Sequence, residues 1–264
     1  MKSYEIMLRE ANIQKNDILD VSSDLAKLIL HCKKLGEQFD ANEILEILKD
    51  LVGEDGTLLV RAFNWDFCSG FAFDIRRSPS RAGALGNVAL KRADFKRSRH
   101  SLYSWFVWGK YQKEIVGLEN VRSFGADSPF AFLKNHNGKQ LMLGSDMYNS
   151  LTYVHFVEEQ VGVRYRYQKN FTGEYVDENG LAQTRVYSMN VRDLDMDVRM
   201  FNHDRANLFP FKFEDEFREK GILTSKIYED VFTGVLQLKP AFEIIKDDIL
   251  YNDSKRICLF KGQK

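Results

Sequence analysis

The stretch KQLMLGSDMYNSLTYVHFVEE, residues 139–159, determines how the rest of the chain is interpreted. Its apolar run Leu141, Met142 and Leu143 is closed by Gly144, and a polar cluster then opens a helical pattern. This order predicts a strand, a tight turn and a helix. The first turn of such a helix offers unpaired backbone N–H groups at the carboxyl end of a strand, where α/β proteins hold ligands.

Three polar residues follow at intervals of three, namely Thr152, His155 and Glu158. This spacing keeps them near one helix face, so the imidazole comes within reach of the carboxylate one turn on. Such a pair can act as a general base, because the acid fixes the tautomer of the ring and stabilises its protonated form. The same spacing is also typical of a solvated helix face, and the residues alone leave both interpretations open.

Length and composition restrict the class of protein. The chain has 264 residues with 44% hydrophobic and 13% aromatic content, enough for a sizeable core. Its 38 basic and 38 acidic residues give no case for a general nucleic-acid or membrane-surface binder. The three cysteines lack metal-ligand or disulfide spacing, so we predict no metal and a reducing cytoplasmic location. Neither a leader peptide nor an 18-residue apolar run is visible.

Helical and strand patterns alternate along the chain, as in a three-layer α/β protein. Helices are predicted over 3–14, 25–35, 42–52, 83–91, 213–221 and 239–251. Strands are predicted over 18–21, 57–63, 100–108, 231–238 and 256–260. Two alternating runs, 163–171 and 181–189, flank an Asn-Gly pair at 179–180, the strongest local signal for a hairpin. We therefore expect a single domain over 1–264 with an added β-hairpin at about 163–189.

Residues 76–99 hold eight basic side chains against one acid. Ser78, Ser80 and Arg81 lie together there and supply the hydroxyls, backbone N–H groups and guanidinium that a phosphate pocket needs. A solvated basic face is the plainer interpretation. The sharper hypothesis is a multiply phosphorylated ligand.

Six separated segments carry motifs that span nearly the whole chain. They are VSSDL (21–25), DGTLLVRAF (55–63), FDIRRSPSRAGAL (73–85), RSRHS (97–101), FGADSPF (124–130) and GKQLMLGSDMYNSLTYVHFVEE (138–159). Together they resemble the aminoglycoside 3-N-acetyltransferase-like enzymes. That family uses acetyl-CoA on a mixed α/β/α sandwich unrelated to the common GNAT fold.

The resemblance implies roles for residues at matching positions. His155 would be the catalytic base and Glu158 its orienting partner. The loop around Ser22 and Ser23, together with the SPSR loop from Ser78 through Ser80 to Arg81, would help to hold CoA.

The mechanism expected from these assignments is direct transfer in a ternary complex. An amine acceptor is an ammonium ion at neutral pH and must lose a proton before it attacks a thioester, which requires a group titrating near 7. His155 meets that requirement. Backbone N–H groups near Asn149 and the Thr152 hydroxyl are candidate donors to the developing oxyanion.

The acceptor is predicted to be a nucleotide-linked amino sugar, such as a dTDP-3-amino-3,6-dideoxyhexose of a surface-polysaccharide pathway. Aminoglycosides are polycations that carboxylate-lined sites bind best, whereas this neutral chain has a net positive loop. A pyrophosphate would use basic residues that CoA leaves over. We assign Trp65, Asp66, His100 and Tyr148 to the acceptor. No nucleic acid or membrane partner is expected.

Other functions remain open on the sequence. One is an aminoglycoside 3-N-acetyltransferase that confers antibiotic resistance. A second is a cysteine-dependent hydrolase that uses Cys68 and His100, and a third is a non-catalytic binding module on the same fold. For Cys68 the plainer interpretation is a packed thiol.

Overall fold

A computed structural model of the chain describes residues 1–196, 198–200 and 212–260. Within these residues the helices are α1 (Ser3–Arg9), α2 (Leu25–Lys34), α3 (Ala41–Val52), α4 (Ala84–Ala89), α5 (Gln112–Val116), α6 (Pro129–Asn135), α7 (Met147–Ser150), α8 (Tyr153–Val161), α9 (Glu214–Glu219) and α10 (Leu238–Tyr251). The strands are β1 (Ile18–Ser23), β2 (Thr57–Arg61), β3 (Phe73–Asp74), β4 (Lys96–Arg97), β5 (Trp105–Gly109), β6 (Lys139–Leu143), β7 (Arg166–Val176), β8 (Ala182–Arg192), β9 (Val198–Met200), β10 (Leu223–Tyr228), β11 (Val231–Gln237) and β12 (Cys258–Phe260).

The main sheet has seven strands in the order β10-β11-β6-β1-β2-β5-β4. The central strands β6, β1 and β2 run parallel, and the strands on both sides of them pair antiparallel. The central strands are short apolar runs, as expected for strands buried on both faces. The sheet is therefore mixed, and its parallel centre places the carboxyl ends of β1, β2 and β6 at one edge.

Helices cover both faces of this sheet. Successive residues of β1 belong to different cores: Ile18 packs with α5 to α10, whereas Leu19 packs with α1 to α4. In β6 the same alternation separates Met142 from Leu141 and Leu143. The period of two along a strand thus builds two cores from one sheet. The predicted three-layer α/β/α sandwich with a mixed sheet is confirmed.

The predicted hairpin is present as β7 and β8, eleven paired residues on each side. Gly180 has φ +85° in the connecting turn, a conformation that favours glycine. The short strand β3 pairs in parallel with β7, so the hairpin joins the loop that follows β2. None of the described helices combines the length and apolar composition needed to cross a bilayer.

Two predicted elements have wrong boundaries, and one strand was not predicted. Helix α1 stops at Arg9, and Asn12 beyond it has φ +53°, outside the helical region. The strand predicted over 100–108 begins only at Trp105, because the ring of His100 accepts backbone N–H bonds that form a turn. Strand β10 was not predicted, because it is an edge strand with alternating polar residues and a weak apolar signal.

Gly144 sits where β6 turns into α7 and generates a stability prediction. Its φ is +73°, and a Cβ there would overlap the carbonyl oxygen of Asp24. Gly36 has a similar φ of +69° but open space around it. We expect Gly36→Ala to lower the free energy of unfolding by about 1 kcal/mol from backbone strain alone. Gly144→Ala should cost at least about 2 kcal/mol more, because the clash is with backbone.

Urea denaturation of the two variants provides the measurement. Equal losses of unfolding free energy would show that the turn after β6 relaxes freely, contrary to this prediction.

Candidate active site

A histidine and a glutamate form a close pair on α8. The Nδ1 atom of His155 lies 2.7 Å from Oε2 of Glu158, one helical turn further on. The His155 side chain is 21% exposed, whereas the Glu158 side chain is completely buried. With Nδ1 as the donor to the carboxylate, Nε2 carries the ring's lone pair. The predicted His155–Glu158 pair is therefore present, with one ring nitrogen left for other chemistry.

The Glu158 carboxylate has two further partners. Nε of Arg166 lies 2.7 Å from Oε2, and the Tyr165 hydroxyl donates to Oε1 at 3.1 Å. Burial alone would raise the pKa of Glu158, but Arg166 and His155 outweigh it and lower the pKa below its usual value. Glu158 is therefore ionised at neutral pH.

The imidazole is tuned toward its neutral form. Burial lowers the pKa of His155 and the nearby Arg166 guanidinium lowers it further, although the Glu158 carboxylate opposes both. Phe124 packs against the ring edge to face, with the centroids 5.8 Å apart. A neutral, partly exposed imidazole beside a fixed carboxylate is equipped to accept a proton.

The helix predicted after Gly144 is interrupted, and α7 and α8 are separate. The carbonyl of Ser150 accepts from Nη1 of Arg61 at 2.6 Å and from Nε2 of Gln140 at 2.9 Å. Both donors project from the sheet and are buried. They occupy a carbonyl that a continuous helix would use for its own ladder, so the chain kinks before α8 starts.

A buried ion pair lies beneath this kink. Nη2 of Arg61 is 2.6 Å from Oδ2 of Asp20, and the two side chains are 5% and 1% exposed. Asp20 also accepts from the indole of Trp105 at 2.9 Å. The pair joins β1 and β2 to the start of α8 and so fixes where His155 sits.

Two predicted oxyanion donors have different surroundings. The backbone N–H and the side-chain amide of Asn149 both donate to Oδ1 of Asp146, the N-cap of α7, at 2.9 and 2.8 Å. The backbone N–H of Asn149 and one hydrogen of its side-chain amide are thus engaged with Asp146, so its role as an oxyanion donor stays a prediction that rests on the second amide hydrogen. The Thr152 hydroxyl accepts a long contact of 3.4 Å from Arg61 and keeps its own proton to donate.

The two loops assigned to CoA touch each other. A Cβ on Gly83 would lie 2.7 Å from the carbonyl oxygen of Ser23, so the SPSR loop packs on the end of β1. The hydroxyls of Ser22 and Ser80 are buried and donate to backbone carbonyls within the protein, at 3.1 and 3.2 Å. Both hydroxyl protons are therefore engaged within the protein, whereas Ser23 is half-buried where the loops meet.

A cavity of about 300 Å³ opens beside the SPSR loop. Its lining residues are Asn64, Asp66, Phe71, Ala72, Ser78, Pro79 and Arg81. Arg81 is 55% exposed and forms an ion pair with Asp66 at 2.8 Å. The cavity thus joins predicted donor and acceptor residues, and its charges are balanced within the protein.

Of the remaining residues assigned to the acceptor, one is exposed at the surface and two have buried polar groups. Trp65 is 39% exposed and stacks edge to face on Tyr103. The hydroxyl of Tyr148 is buried and has no hydrogen-bond partner in the described residues. His100 is 1% exposed, and both its ring nitrogens contact backbone groups. Burial lowers the pKa of His100 to about 3. The prediction that His100 contacts the acceptor is therefore withdrawn.

Four of the eight basic side chains at 76–99 form ion pairs with acids, most of which lie outside that segment. The ion pairs are Arg76–Asp74, Arg81–Asp66, Arg92–Glu46, Arg92–Asp94, Arg99–Glu119 and Arg99–Glu178. Arg97 is buried and donates to the carbonyls of Ser78 and Ala62. Its role is to anchor the SPSR loop, so the eight basic residues do not form one anionic-ligand surface.

The surroundings of Cys68 and of His100 do not support the cysteine hypothesis. Burial raises the pKa of the Cys68 thiol to about 11, which disfavours the thiolate that a nucleophile needs. The histidine proposed as its base, His100, is held by backbone groups. In the described ranges there is also no cluster of three or more metal-ligating His, Cys, Asp or Glu side chains.

Several residues that shape the site were not assigned this role from sequence: Asp20, Arg61, Gln140, Tyr165 and Arg166. For Asp20 and Arg61 the sequence did contain a signal of this role. A charged residue inside each of two apolar central strands predicts a buried pair when the strands are neighbours. Tyr165 and Arg166 carried no comparable local signal.

The structure is an α/β/α sandwich in which a buried glutamate orients a histidine at the carboxyl edge of the sheet. This arrangement is typical of an enzyme, and comparison with known proteins identifies the family. The aminoglycoside 3-N-acetyltransferase family model matches residues 31–247. The chain therefore belongs to the aminoglycoside 3-N-acetyltransferase family, as the sequence motifs predicted.

Individual relatives are distant. The SPbeta prophage-derived aminoglycoside N(3')-acetyltransferase-like protein YokD of Bacillus subtilis (strain 168) is 26% identical over 141 residues, 45% of this chain and 52% of that protein. The match thus spans about half the length of this curated relative. Solved structures that share the fold include AAC-IIIb with CoASH (TM-score 0.71, 20% identity, 99% of this chain and 97% of that chain) and sisomicin-bound AAC-VIa (TM-score 0.72, 16% identity, 94% of this chain and 97% of that chain).

The ion pair under the kink yields a second prediction. Asp20→Asn should lower the free energy of unfolding by about 3 to 5 kcal/mol, because it leaves the Arg61 guanidinium buried without a countercharge. Asp55→Asn is the matched control, since Asp55 pairs with Lys110 at the surface and is 67% exposed. Its cost should be below about 0.5 kcal/mol. Chemical denaturation measures both, and a cost for Asp20→Asn as small as the control would contradict this account.

Proposed function

We propose that the protein transfers an acetyl group from acetyl-CoA to an amine of an aminoglycoside, with His155 as the general base. The observation that carries the proposal is the partly exposed His155 imidazole held at 2.7 Å by the buried Glu158 carboxylate, in a chain that belongs to this family. Acetyl-CoA supplies the activated acyl group when it is bound.

The base chemistry follows from the charges around His155. The acceptor ammonium must lose a proton before its nitrogen becomes nucleophilic. Nδ1 is occupied by Glu158, so Nε2 is the atom that takes the proton. The carboxylate then faces an imidazolium, which it stabilises. The Thr152 hydroxyl, one turn before His155, is the proposed donor to the developing oxyanion.

Three features support acetyl-CoA as the donor. The end of β1 and the SPSR loop meet at Ser23 and Gly83, and the cavity beside them contains Ser78 and the half-exposed Arg81. A relative with the same fold has been solved with CoASH. Ser23, Ser78 and Arg81 are the residues that would hold the donor, with Ser22 and Ser80 shaping the loops. Arg81 would release Asp66 to meet a phosphate.

The acceptor proposed here replaces the nucleotide-linked amino sugar expected from composition. That expectation rested on a surplus of basic groups, and the ion pairs to Asp74, Glu46, Glu119 and Glu178 remove most of it. A fold relative binds sisomicin. A carboxylate suited to a polycation is also available, since Asp127 is exposed in the loop that carries Phe124.

The first test of this proposal is removal of the base. His155→Gln should lower kcat by about 10² to 10⁴ with little change in KM, because it removes proton transfer but keeps a polar side chain. His136→Gln is the matched control, since His136 is an exposed histidine at the end of α6. Steady-state kinetics on purified, folded proteins measures both. More than about a tenth of wild-type kcat in His155→Gln would rule out the base assignment.

The second test concerns the acceptor. With acetyl-CoA fixed, sisomicin is compared with a dTDP-linked 3-amino-3,6-dideoxyhexose and with the same free amino sugar. We expect the highest kcat/KM for sisomicin and acetylation of its 3-amino group by NMR of the product. A higher kcat/KM for the dTDP-linked sugar would restore the nucleotide-sugar hypothesis and overturn the proposed acceptor.

A further inference from the structure

The segment that enters the hairpin is folded back onto the histidine–glutamate pair. Helix α8 ends at Gly162, whose φ of +77° reverses the chain direction. This reversal returns Tyr165 and Arg166 to Glu158, seven and eight residues behind them. The hairpin is therefore part of the site and not only an excursion from the sandwich.

Oxygen Oε2 of Glu158 is contacted by two basic groups. His155 Nδ1 and Arg166 Nε are each 2.7 Å from it. Only Arg166 carries a permanent charge, because a guanidinium is not deprotonated at any pH the enzyme meets. The carboxylate is therefore compensated whether or not the imidazole is protonated.

The hairpin holds Arg166 in a buried position. Its side chain is 8% exposed, and Nη1 donates to the backbone carbonyl of Asn190 at 3.2 Å on the paired strand β8. The other groups near the pair are the Tyr165 hydroxyl, the Cys258 thiol beyond it on β12, and Glu159, which pairs with Arg122 at 2.8 Å. Among the described groups that act on His155, Arg166 is the cation.

We infer that Arg166 is a positioning residue that keeps Glu158 ionised while leaving His155 neutral, so that the base is ready to accept a proton near pH 7. Without the guanidinium, a buried carboxylate beside a histidine recovers its missing countercharge by drawing a proton onto the ring. An imidazolium cannot act as a base. The inference deepens the proposed function and rests on it for its catalytic consequence.

The test compares Arg166→Gln, Arg166→Lys and Arg164→Gln. Arg164 lies two residues away, is 64% exposed and pairs with Asp253 at the surface, so it is a matched control. The primary measurement is the titration of the His155 ring signal by NMR of histidine-labelled protein, assigned with His155→Gln. The second measurement is the acid limb of kcat/KM for acetyl transfer.

For Arg166→Gln we expect the His155 midpoint, and with it the acid limb, to rise by about one pH unit or more. In Arg166→Lys, which retains the charge, and in Arg164→Gln the midpoint should stay close to wild type. If Arg166→Gln does not fold, Arg166→Met takes its place, because it keeps an unbranched stem without the charge.

The outcomes separate the two proposals. An unmoved His155 titration in a folded, charge-free variant overturns the role of Arg166, whatever the activity. A rise in the midpoint supports that role even if wild-type protein acetylates no aminoglycoside, in which case the proposed function is the one that fails. An equal rise in Arg164→Gln would mean that general surface charge is responsible, and would also overturn the inference.

Discussion

The buried ion pair between Asp20 and Arg61 is the interaction on which the site depends. Two charges inside an apolar sheet face carry a large desolvation cost, which only close geometry and additional hydrogen bonds offset. Here the indole of Trp105 completes the acceptor side and the Ser150 carbonyl completes the donor side. Because the last of these bonds interrupts the helix after the turn, the same pair that joins two strands also sets the position from which His155 projects.

A second buried guanidinium, that of Arg97, anchors the SPSR loop, which follows β2. Arg97 has no acidic partner in the described contacts and is held instead by carbonyls, the Ser104 hydroxyl and the faces of Phe73 and Phe106. Burial lowers its pKa to about 9, which still leaves it charged at neutral pH. Sequence composition cannot separate such an anchor from a ligand-binding arginine, since both read as one basic residue in a polar loop.

The features predicted correctly from the sequence are those set by residues that are close together in the chain. The Asn-Gly turn, the apolar central strands and the amphipathic α3 and α10 were all recognised, because each signal lies within a few residues. The failures have long-range causes. The break before Tyr153 comes from Arg61, which is 89 residues from Ser150 in the chain, together with Gln140 on β6. The apparent basic surface is reduced because Glu46, Glu119 and Glu178 fold onto it.

The same distinction between contacts within one element and contacts from elsewhere in the fold applies to the candidate site. His155 and Glu158 could be paired from sequence because helical geometry alone places them together. The residues that decide the charge state of that pair could not, since Arg166 reaches Glu158 only after the chain has reversed at Gly162 and paired with β8. A histidine and a glutamate at this spacing are equally compatible with a solvated face and a catalytic base. The two are distinguished by a buried third charge, that of Arg166. The hairpin lies outside the main sheet, yet it contributes the residue that makes this His–Glu pair a candidate site.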